Sequence, residues 1–373
     1  MAITHKYVDF SGGSDLDDGD SDGDAYGTIQ KAIDEIDGAA GNQINVKSNA
    51  AHVTPDGGNP YDLSGLSVST SQNNPLIISG YTSTPGDGGI GEIDGDNKIA
   101  NIFTNAPSHF FLKDLKIHGC TSYMTFFSAF WGIFRCEITD VGASGGAYWD
   151  PGSIGIVYGC HVHTDGLASP TDAIKVGYYS YVAHNYVHDV TGDGIYLDGN
   201  MAVCTNNLLH SIDAHGINSN SNEMHMINNN TVVGQSAADD IGIDLNATDI
   251  VMAVGNIVKD WIKGINSDSG GIVLYHGYNH LHNNTDDEDY SGSVLHDLEN
   301  NEVLNPDFTD VDGEDYSVGS SAKAKSYPTT FKGSSTNTFI DTGAAQREEE
   351  GGGGGGGTTV PQGLQPIEDG ITA

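Results

Sequence analysis

The sequence predicts an all-β protein built as a solenoid, in which short parallel strands stack on one another. Three observations support this fold class. Glycine accounts for 51 of the 373 residues, and Asn, Asp, Ser and Thr are frequent, which is typical of chains rich in turns. One motif recurs along the chain at a nearly constant period. Within each copy, apolar and polar residues alternate with the period of a strand.

The repeated motif is clearest in its central copies. Residues 184–200 read HNYVHDVTGDGIYLDGN, residues 206–222 read NNLLHSIDAHGINSNSN, and residues 255–271 read GNIVKDWIKGINSDSGG. The second residue of each quoted copy is an anchor residue, which is followed, two places later, by Ile, Leu or Val. The anchors, which recur every 21 to 26 residues after an apolar first member at Leu115, are Cys136, Cys160, Asn185, Asn207, Asn230, Asn256 and Asn279.

Each copy is also expected to contribute apolar side chains to a common hydrophobic core. One copy cannot bury its apolar side alone, whereas stacked copies form a continuous interior. The first strand of each copy contributes Val187, Leu209, Val232, Val258 and Leu281. The second contributes Ile174, Ile195, Ile217, Ile243 and Ile265.

The anchors are expected to form a buried column. A buried amide needs hydrogen-bond partners, and an Asn above another Asn can bond to its neighbour and to the turn backbone. Cys136 and Cys160 occupy the same column in earlier copies. We expect them to remain thiols, although their spacing also permits a disulfide.

This pattern resembles the parallel β-helix proteins of the pectate-lyase-like superfamily, strongly over residues 115–284 and weakly over 43–114. The resemblance implies a right-handed solenoid. Residues 6–36 resemble the opening of such proteins, and Ile29, Ala32, Ile33 and Ile36 recur at helical spacing. We therefore expect a short helix that caps the first turn of the solenoid.

The resemblance divides the chain into four segments: an N-terminal segment with the capping helix (1–42), the β-helix (43–300), a closing segment (301–347) and a Gly-rich linker with a C-terminal arm (348–373). Residues 305–344 resemble closing segments that are frequent in phage structural proteins and in surface proteins of aquatic bacteria. The linker EEEGGGGGGG predicts an extended, flexible tail. Either the tail is disordered, or it docks onto a partner or another copy of the chain.

Composition restricts the partners. The formal charge of −37 disfavours nucleic acid and anionic membranes, and no apolar run is long enough to span a bilayer. The first residues, MAITHKYVDFSGG, do not resemble a Sec signal peptide. We therefore expect a location in a virion, or at a cell surface or outside the cell by another export route.

The second strands predict a polar face that suits an extended sugar polymer. Asn, Asp and Tyr side chains offer many hydrogen bonds and an aromatic platform. The ligand-binding candidates are Tyr196, Asn218, Asp244, Asn266 and Asp268. The catalytic candidates are Asp198 and Asp244, whose spacing lies at the outer limit for inverting glycoside hydrolysis, and Lys175. The resemblance implies a calcium-binding carboxylate set with a catalytic Lys or Arg, but no Arg occurs between Arg135 and Arg347.

Two further columns accompany this face. Asp172, Asp193 and His215 align at the edge of the second strands, where TDAI and AHGI weakly resemble polygalacturonase motifs. Histidines recur three places after the anchor, and their parallel rings suit stacking better than a shared metal. These histidines are His118, His163, His188, His210 and His282.

A calcium site is the one cofactor that the sequence suggests, and none is required. Asp18, Asp20 and Asp22 have the spacing of the first half of a calcium loop. The twelfth position of that loop is Ile29, where a glutamate is needed. An acidic surface turn is the alternative interpretation.

Three functions remain open at this point. The sequence favours a non-enzymatic structural or surface-recognition protein, such as a virion decoration or tail-associated spike with the capacity to bind glycans. Its expected partners are other virion proteins or further copies of the chain in a homo-oligomer, through the C-terminal arm. The alternatives are a polysaccharide depolymerase, either a lyase or a glycoside hydrolase, and a cell-surface adhesin.

Overall fold

Short strands separated by turns form nearly all of the regular structure in the computed structural model. The structure describes residues 3–36, 42–53, 61–63, 70–71, 74–99, 101–105, 107–121, 130–139, 147–148, 154–164, 172–220, 224–235, 241–246, 250–267, 272–291, 293–298, 305–306, 308–310 and 315–318. Two compact units divide the chain: residues 1–181 with 189–192, and residues 182–188 with 193–373.

The described residues of the first unit include the α-helix α1 (Ile29–Asp34) and a 3-10 helix (Asp22–Asp24). Its strands are β1 Thr4–Val8, β2 Asn42–Lys47, β3 Ala51–Val53, β4 Tyr61–Asp62, β5 Leu76–Tyr81, β6 Gly91–Ile99, β7 Phe103–Thr104, β8 Phe110–Lys113, β9 Leu115–Cys120, β10 Phe130–Phe134, β11 Glu137–Thr139, β12 Ala147–Tyr148, β13 Ile154–Tyr158, β14 His161–His163 and β15 Asp172–Val176. Two strands, β16 Tyr181–Ala183 and β17 Tyr186–Val190, contain residues of both units.

The second unit contains the remaining strands. These are β18 Asp193–Leu197, β19 Val203–Thr205, β20 Leu208–Ile212, β21 His215–Ser219, β22 His225–Asn228, β23 Thr231–Val233, β24 Ile241–Leu245, β25 Ile250–Val254, β26 Ile257–Lys259, β27 Lys263–Asn266, β28 Val273–Gly277, β29 His280–His282, β30 Asp286–Asp289, β31 Val294–Asp297, β32 Phe308–Asp310 and β33 Asp315–Val318. Strands β32 and β33 form an antiparallel pair.

Parallel ladders organise both units. In the second unit, sheet 1 has the order β19-β22-β25-β28-β31, sheet 2 the order β20-β23-β26-β29, and sheet 3 the order β18-β21-β24-β27-β30. In the first unit, β1-β2-β5-β8-β10-β13 and β3-β6-β9-β11-β14 are the corresponding long ladders. The predicted fold class, an all-β right-handed parallel β-helix, is confirmed.

The predicted core residues lie inside. Ile195, Ile217, Ile243 and Ile265 of sheet 3 have no solvent exposure, and Val187, Leu209, Val232 and Val258 have none either. Burial of an aliphatic side chain contributes about 2 kcal/mol. The period-two pattern therefore identified the inward face of both sheets.

The asparagine column forms as predicted. The Oδ1 atom of Asn207 accepts hydrogen bonds from the backbone N–H (3.0 Å) and the Nδ2 (2.9 Å) of Asn185. The Nδ2 of Asn207 donates in turn to Asn230 Oδ1 (2.9 Å) and to the Val182 carbonyl (3.0 Å). The same pattern continues from Asn230 through Asn256 to Asn279. Each buried amide is thus satisfied by the turn next to it.

A left-handed residue precedes each of these asparagines and makes the bend possible. Asn206 has a φ of 55° and Asn229 has a φ of 55°, and asparagine tolerates this region better than most residues. Gly255 occupies the equivalent position before Asn256, with a φ of 71°.

The two anchor cysteines are free thiols, as expected. Cys136 and Cys160 are buried, and the pairing of Glu137 with His161 places the two cysteines at neighbouring positions. Burial raises the pKa of the Cys160 thiol to about 12, so this cysteine stays protonated and unreactive at neutral pH.

The outward surface of sheet 2 carries the predicted histidine stack and an apolar contact. In the second unit, the rings of His188 and His210 lie 5.0 Å apart at an angle of 2°. Phe308, from the segment predicted to close the solenoid, packs against Tyr186, Leu208 and Val233. The stacking prediction is therefore confirmed for this pair.

Helix α1 agrees with the predicted helical spacing, and its residues Ile29, Ala32 and Ile33 are buried. Its capping role and the boundaries at 42, 300 and 347 stay predictions. The linker and arm, 348–373, lie outside the described residues. Among those described, no helix has the length and apolar character needed to span a membrane.

Candidate functional site

The outward face of sheet 3 in the second unit carries a register-matched column of polar side chains. Tyr196 pairs with Asn218, Asn218 with Asp244, and Asp244 with Asn266. Because the flanking isoleucines face the core, these four side chains point away from it. Tyr196 and Asn218 are partly exposed, whereas Asp244 and Asn266 are buried. Tyr196, Asn218, Asp244 and Asn266 are called the polar column. The predicted alignment is present, whereas ligand binding by these residues stays a prediction.

Asp193 and His215 lie beside the polar column, at the first positions of β18 and β21. The Nδ1 of His215 lies 2.7 Å from Asp193 Oδ1, and the His215 backbone N–H donates to the same oxygen at 3.2 Å. Asn218 Nδ2 donates to the other oxygen, Oδ2, at 2.7 Å. The Asp193 side chain is 12% exposed, and its carboxylate holds the imidazole in one orientation.

The opposite edge of the imidazole faces a second carboxylate. His215 Nε2 lies 3.8 Å from Asp244 Oδ2, which is longer than a hydrogen bond. Asn266 donates to Asp244 Oδ1 at 2.8 Å, and Asn246 donates to Oδ2. Asp244 is 4% exposed, while the His215 side chain is 24% exposed. The imidazole is therefore the most accessible of the three groups.

A lysine continues the network on the next strands. Lys263 Nζ donates to Asn266 Oδ1 and to Asp289 Oδ2, both at 2.9 Å. The hydrogen bond from Lys263 lowers the pKa of the Asp289 carboxyl below its usual range. Lys263 thus orients the amide that bonds to Asp244, and it was not among the predicted catalytic residues.

Tyr196 supplies an aromatic surface at the start of the column. Its hydroxyl accepts a hydrogen bond of 2.7 Å from Nδ2 of Asn220, which directly follows β21. Rings fixed in this way suit stacking against the apolar face of a sugar. Tyr196 therefore fits the platform role that the sequence predicts for it.

The remaining predicted site residues are Lys175, Asp172, Asp198 and Asp268. Lys175 and Asp172 belong to β15 in the first unit. Asp198 follows β18 and is partly exposed, and Asp268 lies outside the described residues. The structure places His215, which was not among the predicted catalytic residues, 3.8 Å from Asp244. The catalytic roles predicted for Asp198, Asp244 and Lys175 stay predictions.

The predicted calcium loop lies in the first unit. Lys6 Nζ donates to Asp20 Oδ1 at 2.7 Å. Asp22 accepts hydrogen bonds from Lys47 at 3.0 Å and from the Tyr81 hydroxyl at 2.5 Å. The hydrogen bond from Lys47 contributes most to lowering the pKa of Asp22. Asp18 accepts the Asp20 backbone N–H at 3.0 Å. Calcium binding by these carboxylates stays a prediction.

The sequence contained one signal for the Asp193–His215 pair. Both residues occupy the position two before a core isoleucine, in DGI and HGI. The period therefore aligned them, but it did not show that the imidazole reaches sideways to Asp244. That contact depends on side-chain rotamers, which a repeat period does not specify.

Comparison with known proteins supports the fold alone. No family model matches the sequence, and no curated protein matches it. Among solved structures, the crystal structure of pectate lyase Pel9A is similar, with a TM-score of 0.62 and 12% sequence identity. The alignment covers 93% of this chain and 97% of that chain. The likeness in fold therefore extends over nearly the whole chain.

Proposed function

We propose that the protein binds an extended polysaccharide along the polar column and cleaves its glycosidic bonds with general acid–base catalysis at His215, either by adding water to the bond or by eliminating a proton from the sugar. The observation that carries the proposal is the imidazole placed between two carboxylates on an outward sheet face. Such a group accepts or donates a proton near neutral pH.

The roles follow from accessibility and contact. Asp193 fixes the tautomer and orientation of the imidazole through Nδ1, so Nε2 is the atom directed to the substrate. Asp244 Oδ2 lies 3.8 Å from Nε2 and stabilises the imidazolium that forms when His215 takes up a proton. A substrate oxygen that approaches from the solvent side meets the imidazole. Asp193 is therefore a positioning residue, and His215 is the catalytic residue.

Two further observations support a sugar polymer as the ligand. Hydrogen-bonding groups repeat from strand to strand along the column, about 4.8 Å apart, as an extended ligand requires. The structurally similar Pel9A is named for its action on pectate, a sugar polymer. The first observation concerns this chain directly, and the second concerns a protein of similar fold.

A depolymerase assay tests the proposal. The protein is incubated with neutral and acidic polysaccharides, and reducing ends and unsaturated products are measured. We expect His215→Ala to lower the rate at least about 100-fold, while His296→Ala, at an exposed position on sheet 1, leaves it unchanged. Equal rates for the wild type and His215→Ala would reject the catalytic role.

Non-enzymatic surface recognition is the second candidate function. It is favoured by the hydrogen bonds that the polar side chains make to one another. Lys263, Asn266 and Asp244 hold one another in place, which preorganises a binding surface without requiring chemistry. Polymer binding without any product, unchanged in His215→Ala, would establish this candidate. Location in a virion or at a cell surface, homo-oligomers and docking by the arm belong to it and stay predictions.

A further inference from the structure

The stretch that carries the polar column is strongly acidic. Residues 193–298 contain fifteen Asp and Glu residues but only two basic residues, Lys259 and Lys263. Lys259 forms an ion pair with Asp260. Lys263 forms one with Asp289 at 2.9 Å. A polymer with a carboxylate on each sugar would therefore approach a surface of its own sign, where both lysines already pair with protein carboxylates.

A bound calcium ion is one means of bridging an acidic sugar to an acidic protein surface. Calcium takes roughly six to eight oxygen ligands. Asp193 and Asp244 instead accept N–H donors on both of their oxygens. Asn218 presents Nδ2, not its oxygen, to Asp193. The imidazole of His215 fills the position between the carboxylates, so these residues do not fit a bridging calcium ion.

The same groups do fit uncharged sugar hydroxyls. A hydroxyl both donates and accepts hydrogen bonds, so it can bond to the partly exposed Asn218 of the polar column and to the neighbouring His215 without a charge on the ligand. Tyr196 adds an aromatic ring, which stacks on a sugar whatever its charge. The contacts that remain favourable on this face are therefore those that need no anion on the ligand.

We infer that the polar column takes an uncharged sugar polymer, either a neutral polysaccharide or the esterified form of an acidic one, and does so without calcium. The inference rests on the proposed function and specifies its substrate class. The inferred substrate therefore differs from pectate, the polymer for which the structurally similar pectate lyase is named.

A matched pair of polymers tests it. Binding and cleavage are measured for polygalacturonate and for its fully methyl-esterified form, at low and high salt, with either a chelator or added calcium chloride. A set of neutral glucans, galactans and xylans is included because the charge argument does not select the sugar. We expect uncharged polymers to bind at least about tenfold more tightly than polygalacturonate at low salt. The difference in affinity between uncharged polymers and polygalacturonate should narrow at high salt. The chelator should change neither binding nor cleavage.

A charge-reversal variant provides the control. Asp286 is exposed and pairs in register with Lys263, so Asp286→Lys adds positive charge to the same face without touching His215. This variant should reduce the preference for uncharged polymers. Tighter binding of polygalacturonate, or binding that requires calcium, would overturn the inference and leave the proposed function intact. Failure to bind any polymer would overturn both.

Discussion

Asp193 and His215 are joined by a contact of 2.7 Å between Oδ1 and Nδ1, although they are 22 residues apart in the sequence. The parallel register of sheet 3 brings them to neighbouring strands. Their separation equals one period of the repeat, and any polar pair at this position would therefore meet. What distinguishes this pair is the second carboxylate, Asp244, on the far side of the imidazole.

The first prediction concerns the positioning role of Asp193. Asp193→Asn should lower kcat at least about 100-fold, because the amide no longer selects the tautomer that leaves Nε2 available. KM should change less than about twofold, since the buried carboxylate reaches the substrate only through His215. Steady-state kinetics on the cleaved polymer provide the measurement. The matched control is Asp213→Asn, at an exposed position just before β21, and a large rise in KM alone would contradict the assigned role.

The second prediction concerns the asparagine column. Asn207→Ala should lower the free energy of unfolding by about 3 kcal/mol. It leaves the Asn185 N–H and the Val182 carbonyl buried without their partner. Urea denaturation measures the change, and Asn220→Ala, at an exposed position, should cost far less. A loss below about 1 kcal/mol for Asn207→Ala would show that water replaces the amide.

The third prediction concerns an ion pair of the first unit in which the carboxylate is buried and the arginine is 30% exposed. Arg135 donates to both oxygens of Asp114, at 2.7 and 2.8 Å, and the Asp114 side chain is 4% exposed. Arg135→Met should lower the free energy of unfolding by about 3 kcal/mol, because it leaves a buried carboxylate without its donor. Lys113→Met is the control, since Lys113 is 3.8 Å from the same carboxylate and 37% exposed. Similar losses for both variants would contradict this explanation.

The fourth prediction concerns the pH dependence of stability. Burial lowers the pKa of His52 to about 4, whereas an unfolded histidine has a pKa of about 6.5. Between these values the unfolded state binds the proton and the folded state does not. The stability contribution is therefore fully present above about pH 6.5 and falls by about 3 kcal/mol as the pH drops to 4.

Denaturation at several pH values measures this slope. His52→Gln should flatten the pH dependence between pH 4 and 6.5, because glutamine does not titrate. His296→Gln, at an exposed position, should leave the slope unchanged. An equally steep loss of stability in His52→Gln would assign the acid sensitivity to other groups.

The sequence predicted much of the fold because the repeat carries two signals that agree with each other. Period-two alternation gave the inward residues, such as Ile195 and Ile217, and the recurring Asn gave the bend between sheets 1 and 2. The stacked pair His188 and His210 followed from the same register. These features depend on backbone position alone, and the spacing of a repeat gives the backbone position of each residue within its copy.

The candidate site was only partly predictable for the opposite reason. The sequence placed Asp244 in one column and Asp193 with His215 in another, and it paired Asp244 with Asp198 as a catalytic candidate. Contacts between columns depend on how far a side chain reaches across the sheet and which rotamer it adopts. Neither property is encoded in the spacing of the repeat.

By itself, the sequence determined which residues lie above one another and which face the interior, because chain spacing and hydrophobic periodicity fix both. Only the tertiary structure decided that an imidazole lies between Asp193 and Asp244 and that Lys263 is bound to Asp289. Those relationships arise from side chains competing for the same donors and acceptors in three dimensions, and that competition sets the chemistry available to the polar face.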